Sequence, residues 1–274
     1  MSEEPSTDLL GGADDVDLWI ERIYGASARS ARLPGGLLHP TSVWRPRRDG
    51  QWSDLQLALR IGAETPVSWH DAFALNLCRA RADAIVTTGR ILRAEKNLRH
   101  DLGGPGSMPQ ALAAWRRERL AKANPPVSLV LTRGGEIDLQ HPFFRNAAGR
   151  VVVYTSRPGA WRLESRAADA GVEVEAVDEP TPQGAIHFLR AAFGAATMSL
   201  EAGPSVARAL YRPRLEIDEL LLSTFLGDGL PTSVRGGRQL ERSAIDRLMK
   251  RASEPFLAES KDGSWQLERW VRRR

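Results

Sequence analysis

Apolar residues along this chain recur with two spacings, and the spacing switches repeatedly between that of a helix and that of a strand. Val16, Trp19, Ile20 and Ile23 recur at helical spacing, with Asp15 placed to cap the helix they predict. Leu55, Leu57, Leu59 and Ile61 alternate with Gln56, Ala58 and Arg60, which predicts a strand. Ser68 followed by Asp71 marks a helix start, and Phe73, Leu77 and Ala80 give that helix an inner face. A short β run at 84–87 ends on Thr88-Gly89, and a helix over 109–123 is stopped by Pro125-Pro126. Buried strands follow at 127–132 and 151–155. Helix 160–170, strand 172–177, helix 183–193 and strand 197–200 continue the alternation, with Gly171 and Gly194 ending the two helices. After Glu201-Ala202-Gly203-Pro204 come another helix and an apolar strand at 217–226. Residues 255–259 and 265–271 flank Lys261-Asp262-Gly263, a β-hairpin pattern.

Alternating strands and helices closed by a hairpin predict an α/β fold. Its central sheet is mostly parallel, with helices on both faces and an antiparallel C-terminal hairpin. Residues 1–15 read as a disordered tail. Residues 16–54 read as an ordered arm packed on the main body, irregular over 31–53, with Trp19, Trp44 and Trp52 as its anchors. Residues 55–274 read as the main domain.

Composition narrows the function classes. With 274 residues, 42% hydrophobic and 26% charged, the chain is ordinary for a globular protein, and no apolar run approaches the ~18 residues of a membrane span. The acidic, polar N-terminus lacks the basic start and apolar core of a secretory signal. The single cysteine, Cys78, falls in an apolar helical stretch and excludes an internal disulfide, so a cytoplasmic protein is expected. The formal charge is +4, but the arginines are spread rather than clustered, so nucleic acid is not expected as a partner. The densest arginine spots, at 45–48, 116–119 and 272–274, read as solvated faces or a terminus, and arginine clusters also suit a phosphorylated small molecule through bidentate contacts. His39, His70, His100, His141 and His187 show no metal-ligand spacing, so no metal is expected. Gly103-Gly104-Pro105-Gly106 lacks the spacing of a dinucleotide fingerprint, and neither a Walker loop nor a nucleophile elbow occurs.

The candidate chemistry lies at two turns. Gly89 and Gly203 each end an apolar strand and open a helix, a geometry that lets backbone amides approach phosphate oxygens while the helix dipole favours the anion. The blander reading is that both glycines only turn the chain. The sequence 81–95, with Asp83-Ala84-Ile85-Val86 running into Thr88-Gly89 and Arg93-Ala94-Glu95, resembles a motif of the riboflavin-biosynthesis reductases. Ser199-Leu200-Glu201-Ala202-Gly203-Pro204-Ser205-Val206-Ala207, followed by Ile217-Asp218-Glu219-Leu220, is similar to a second block of that family. The similarity runs in consistent order over 55–272.

The resemblance implies a dihydrofolate-reductase-like fold, NADPH as hydride donor, and usually a homodimer. It also implies reduction of a ribosylamino-pyrimidine 5′-phosphate to its ribitylamino form. Carried over by position, the cofactor would meet Thr88, Gly89, Arg90, Ile91 and Glu95, with Thr132, Arg133, Thr155 and Ser156 toward its adenosine end. Ala202, Gly203, Pro204, Ser205 and Val206 would cradle its pyrophosphate. Leu59, Arg60, Glu64, Arg99 and Glu201 stand on the substrate side, and no catalytic residue is singled out. The chain departs from the family in the Ser-Leu-Asp-Gly stretch expected after the first strand. At 58–64 Arg60 stands for the Ser and Gly62 for the Asp. Two other readings follow from that loss: a catalytically silent binding or regulatory protein, or a reductase of a pterin-like heterocycle.

Overall fold

The computed structural model describes residues 10–29, 36–134, 136–212 and 214–273. Helix α1 (Ala13–Tyr24) precedes strand β1 (Leu37–Trp44), a small hairpin of β2 (Arg47–Arg48) and β3 (Gln51–Trp52), and the short β4 (Leu57–Leu59). There follow α2 (Trp69–Arg81), β5 (Ala84–Thr88), α3 (Gly89–Ala94), α4 (Met108–Leu120), β6 (Val127–Leu131), α5 (Pro142–Arg145) and β7 (Val151–Ser156). Then come α6 (Arg157–Asp169), β8 (Glu173–Val177), α7 (Pro182–Phe193), β9 (Met198–Leu200), α8 (Pro204–Tyr211) and β10 (Glu219–Phe225). The chain closes with β11 (Arg235–Arg238), α9 (Arg242–Leu248), β12 (Met249–Arg251), β13 (Phe256–Ser260) and β14 (Gly263–Arg272).

The main sheet is ordered β12-β14-β10-β1-β9-β5-β6-β7-β8. Every neighbouring pair from β10 to β8 is parallel, while β14 runs antiparallel to β10 and forms the C-terminal hairpin with β13. Successive side chains of a strand point to opposite faces, and β1 shows it: Leu38 and Trp44 pack with α1, α2 and α4, whereas Leu37 and Val43 pack with α7, α8 and α9. A third cluster joins α5 and α6 to Val130 of β6 and Val153 of β7. Leu129 and Leu131 face the α7–α9 side, so α5 and α6 share the α2 side. A buried ion triad ties α2 to the C-terminal strands: Arg81 Nη1 meets Glu219 Oε1 at 2.9 Å and Arg269 Nε meets it at 3.0 Å.

The N-terminal third departs from expectation. Residues 37–44, expected within an irregular arm, form a central strand, and the regular domain begins there rather than near Leu55. Pro40 hides it, because a proline cannot donate to a ladder and argues against a central strand. Here β9 meets β1 only at Leu37 and Leu38, and β4 meets it only at Val43 and Trp44. Between them Pro40 has a strand partner on the β10 side alone. The strand expected at 55–61 is reduced to Leu57–Leu59. Helix α1 starts at Ala13, inside the expected tail, and Leu10 is buried; residues 1–9 of that tail lie outside the described residues. Asp15 does not cap α1 but accepts from Gly11 N at 2.7 Å, and Gly12 holds the cap position. Cys78 is fully buried, and burial pushes its thiol pKa up.

Candidate functional site

In open parallel sheets ligands gather beyond the carboxyl ends of the strands, where the winding reverses. Here the chain winds outward from β5 through β8 and returns as β9 between β1 and β5. The resulting ridge holds the residues after β5, β6, β7 and β9, so the two glycine turns and the strand-end hydroxyls meet on one edge.

The turns are not equivalent. After β5, Thr88 caps α3, its hydroxyl accepting from Ile91 N at 3.3 Å. Gly89 is buried, and a Cβ there would lie 3.1 Å from Thr132 Oγ1. Glycine thus lets α3 close on the end of β6. Arg90 is exposed and Ile91 half-buried. Ser156 and Thr181 likewise cap α6 and α7, accepting from Gly159 N at 3.2 Å and Gly184 N at 3.0 Å. After β9, Gly203 opens α8 without a side-chain cap, and a Cβ on it would meet nothing within 4 Å. Ala202, Pro204 and Val206 are half-buried around it and Ser205 is exposed. Pro204 supplies no N–H, and the amides of Val206 and Ala207 bond to Gly203 O at 3.0 and 3.1 Å, so among the described residues the Ser205 N–H is the first-turn donor of α8 left without a partner. Arg133 is exposed at the end of β6, its carbonyl accepting from Ser156 Oγ at 2.7 Å. Thr155 is fully buried with an unpartnered hydroxyl.

On the α2 face below the ridge runs a polar seam. Glu201 directly follows β9, its N–H bonded to Val86 O at 2.8 Å. Arg79 of α2 grips both carboxylate oxygens, Nε to Oε1 at 2.8 Å and Nη2 to Oε2 at 2.6 Å, and also donates to Asp101 O at 2.9 Å. His100 Nδ1 lies 3.0 Å from Ser128 Oγ, while its buried Nε2 has no hydrogen-bond partner and faces Glu201 Oε2 at 3.8 Å. Thr87, on the neighbouring strand, is also buried with an unpartnered hydroxyl. Burial alone would raise the pKa of Glu201, but the adjoining guanidinium outweighs it and holds the carboxyl below its ordinary range. Burial also drops His100 to about 3, so its ring is neutral at physiological pH. Glu95, half-buried at the end of α3, shifts upward through burial and the charge of Glu201, with Arg79 opposing.

The other substrate-side candidates divide into two groups. Leu59 pairs with Arg235, Arg60 N bonds to Val234 O at 2.9 Å, and Glu64 accepts from Ser233 Oγ at 2.6 Å. These three therefore gather with β11 near the end of β1. Arg99 is exposed in the loop after α3, beside the inward-turned His100.

Neither a protein-family model nor a curated protein sequence matches the chain. Solved structures do. The chain is similar to a pyrimidine reductase-like protein of Corynebacterium diphtheriae, with 20% identity, a TM-score of 0.62, and 93% of this chain and 98% of the other covered. The fold is that of the pyrimidine reductases. RibD of Acinetobacter baumannii shares it at 16% identity and TM-score 0.55, with 91% of this chain but 61% of RibD covered, so the chain spans about three fifths of that protein. The riboflavin biosynthesis reductase of Saccharomyces cerevisiae shares it at 11% identity and TM-score 0.51, with 94% and 100% covered.

The first strand of the main sheet in chain order is β1, not a strand starting near Leu55. The stretch leaving the first strand is Trp44–Gly50, not Ala58–Glu64, and it does carry an Asp-Gly pair, Asp49-Gly50. That pair forms the exposed tip of the β2–β3 hairpin, with Asp49 at φ 50° and Gly50 at φ 76°. Two groups escaped sequence reading. Arg79, His100 and Ser128 complete the seam, and the available signal was two arginines, Arg79 and Arg81, in the last turn of a helix with a largely apolar inner side. The Arg-Gly-Gly-Arg run of β11 lies against β4 and α8. A Cβ on Gly236 would fall 2.5 Å from Ala58 O, and one on Gly237 would fall 3.7 Å from Pro204.

Proposed function

We propose that this chain is an NADPH-dependent reductase acting on a ribosylamino-pyrimidine 5′-phosphate. The observation that carries the reading is the open start of α8. Gly203 faces free space, no side chain caps the helix, and Glu201 stands two residues before it at the end of a central strand. The residues present fit a dinucleotide. Gly203 and Ser205 are suited to the diphosphate, the exposed Arg90 and Arg133 to a further phosphate, and Thr88 and Ile91 to the nicotinamide side. The bound cofactor would supply the hydride. The chain's own work is to bind and orient both partners, exclude water and hold a proton near the reacting atoms. The structural neighbours, a pyrimidine reductase-like protein and a riboflavin biosynthesis reductase, support the substrate class. A homodimer and a cytoplasmic location belong to the same reading; the lone cysteine suits the latter.

The test is a fluorescence titration with NADPH and NADH. Saturable one-to-one binding that favours NADPH is expected, and no binding at millimolar cofactor overturns the reading. One observation favours a second reading, a binding protein without turnover: Arg79 occupies both oxygens of Glu201. Reduction of the pyrimidine substrate in a single-turnover experiment would eliminate it.

A further inference from the structure

The central sheet is closed between β1 and β9 only at its base. β9 meets β1 at Leu37 and Leu38, with Leu38 opposite Ser199, and then follows β5, to which the Glu201 N–H still bonds. Carried upward in that register, Pro40 lies at the level of Glu201 and Ser42 at the level of Gly203. The Gly36 carbonyl accepts from Met198 of β9 and the Leu37 carbonyl from Asp218 beside β10. Backbone direction alternates along a strand, so Pro40 and Ser42 face the β9 side, where no strand answers until β4 joins at Val43. Pro40, Thr41 and Ser42 are accordingly half-buried in the middle of a central strand. Because β9 separates β1 from β5, its end leaves those two strands ~10 Å apart, two strand spacings. The sheet opens there as a slot.

Helix α2 runs along this slot on one face and bonds to both of its walls. At the first turn Asp71 accepts from Ser42 Oγ of β1 at 2.6 Å, and Ser223 of β10 hydrogen-bonds the same carboxyl. About two turns later Arg79 holds both oxygens of Glu201. The two acids stand on opposite walls in opposite circumstances. Glu201 has a bound cation. Asp71 has hydroxyl partners, and among the described residues no cation pairs with it. It is half-buried rather than sealed, as is Ser42. A carboxylate accepts at about four positions, so Asp71 keeps acceptors free for a ligand in the slot.

We propose that Asp71 reads the substrate ring, accepting hydrogen bonds from its N–H groups while Ser42 and Ser223 hold the carboxyl in place. This inference rests on the reductase reading and names the residue that recognises the pyrimidine in it. A pyrimidine of that class is flat, as the gap between two strand edges requires, and carries N–H donors on its rim. An ionised carboxyl only accepts, so it selects ring positions that bear hydrogen and rejects those that present lone pairs.

The experiment is a calorimetric titration of the full chain, with and without NADPH, using diaminouracil and its form methylated on both ring nitrogens. The two probes share ring and amines and differ at the ring nitrogens. Wild type should bind diaminouracil at least about tenfold more tightly, the ratio expected of one hydrogen bond to a charged acceptor. Asp71→Asn keeps the side chain's size but exchanges an acceptor oxygen for a donor, and should bring the ratio close to one while NADPH affinity holds. Wild type that binds the probes equally, or binds neither, overturns the proposal. So does a folded Asp71→Asn that keeps the preference or weakens both probes alike, as lost packing would. Should Asp71→Asn not fold, Ser42→Ala releases the carboxyl from β1, and an unchanged probe ratio there overturns the proposal. If diaminouracil binds through Asp71 and NADPH does not bind, the reductase reading alone falls. If NADPH binds and the probes ignore Asp71, the Asp71 assignment alone falls.

Discussion

At the end of β5 the chain enters α3 with Gly89 pressed on Thr132 and Thr88 capping the new helix, whereas at the end of β9 it enters α8 with Gly203 facing open space and no cap. Both turns place a glycine between an apolar strand and a helix. One closes the structure upon itself, and the other leaves the space beside its glycine open. A glycine with neighbours at 3.1 Å is there because a methyl group would not fit. A glycine at φ −63° with nothing within 4 Å is in backbone any residue adopts, so packing gives no reason for it. That contrast makes the β9 turn the candidate for ligand contact.

The largest expected effect lies beneath the open turn. Arg79→Met strands Glu201 as a buried, unpaired charge and should destabilise the protein by about 3–5 kcal/mol in chemical denaturation. It should also disturb the β9 turn, weakening NADPH binding in whatever fraction folds. At the closed turn, Gly89→Val forces a branched side chain against Thr132 and should cost about 1–3 kcal/mol. Nucleotide affinity of that folded variant should stay near wild type, and a large loss of binding would erase the contrast between the turns.

The pH dependence separates the two carboxyls by sign. The Glu201 pKa is depressed in the folded state, so its contribution is present above the unfolded value near 4.5 and fades as pH falls through the lower folded value. Melting temperatures of Glu201→Gln and wild type should therefore differ most above pH 4.5 and converge in acid. The Glu95 pKa is raised, so its contribution is full below the unfolded value and lost as pH rises through the folded one. Glu95→Gln should accordingly gain stability relative to wild type toward neutral pH. The smallest effect on stability belongs to Gly203→Ala. It should be neutral or stabilising by less than about 1 kcal/mol, while NADPH affinity falls about tenfold because a methyl group enters the approach to the α8 amides. Unchanged affinity would return Gly203 to a mere turn.

The longer elements of the β–α alternation over residues 69–225 were legible because they carry their own periodicity and stop signals, whereas the short α5, β11, α9 and β12 were not anticipated. Ser68 caps α2, Gly194 closes α7 at φ 62°, and the hairpin after β13 turns on Gly263. The start of the sheet was not legible. β1 contains Pro40 and two hydroxyl residues, and most of its pairing is with β9 and β10, more than 150 residues away, rather than set by local pattern. The site was legible as an edge but not as a network. Strand-end positions identify the ridge, yet whether a glycine is packed or open depends on Thr132 from another strand. Nothing local to Glu201 reveals that Arg79 claims it, since the two are 122 residues apart.

The placement of β9 and β10 on either side of β1 has a consequence for synthesis. Leu37 waits for Asp218, 181 residues later, before its N–H finds that carboxylate partner. At ribosomal rates of ~5–20 residues per second, that leaves β1 without its long partner β10 for roughly 10–40 s. The nascent chain should therefore depend on chaperone cover until its last third emerges, and synonymous changes that slow translation between β8 and β10 should lower the yield of native protein without altering its sequence.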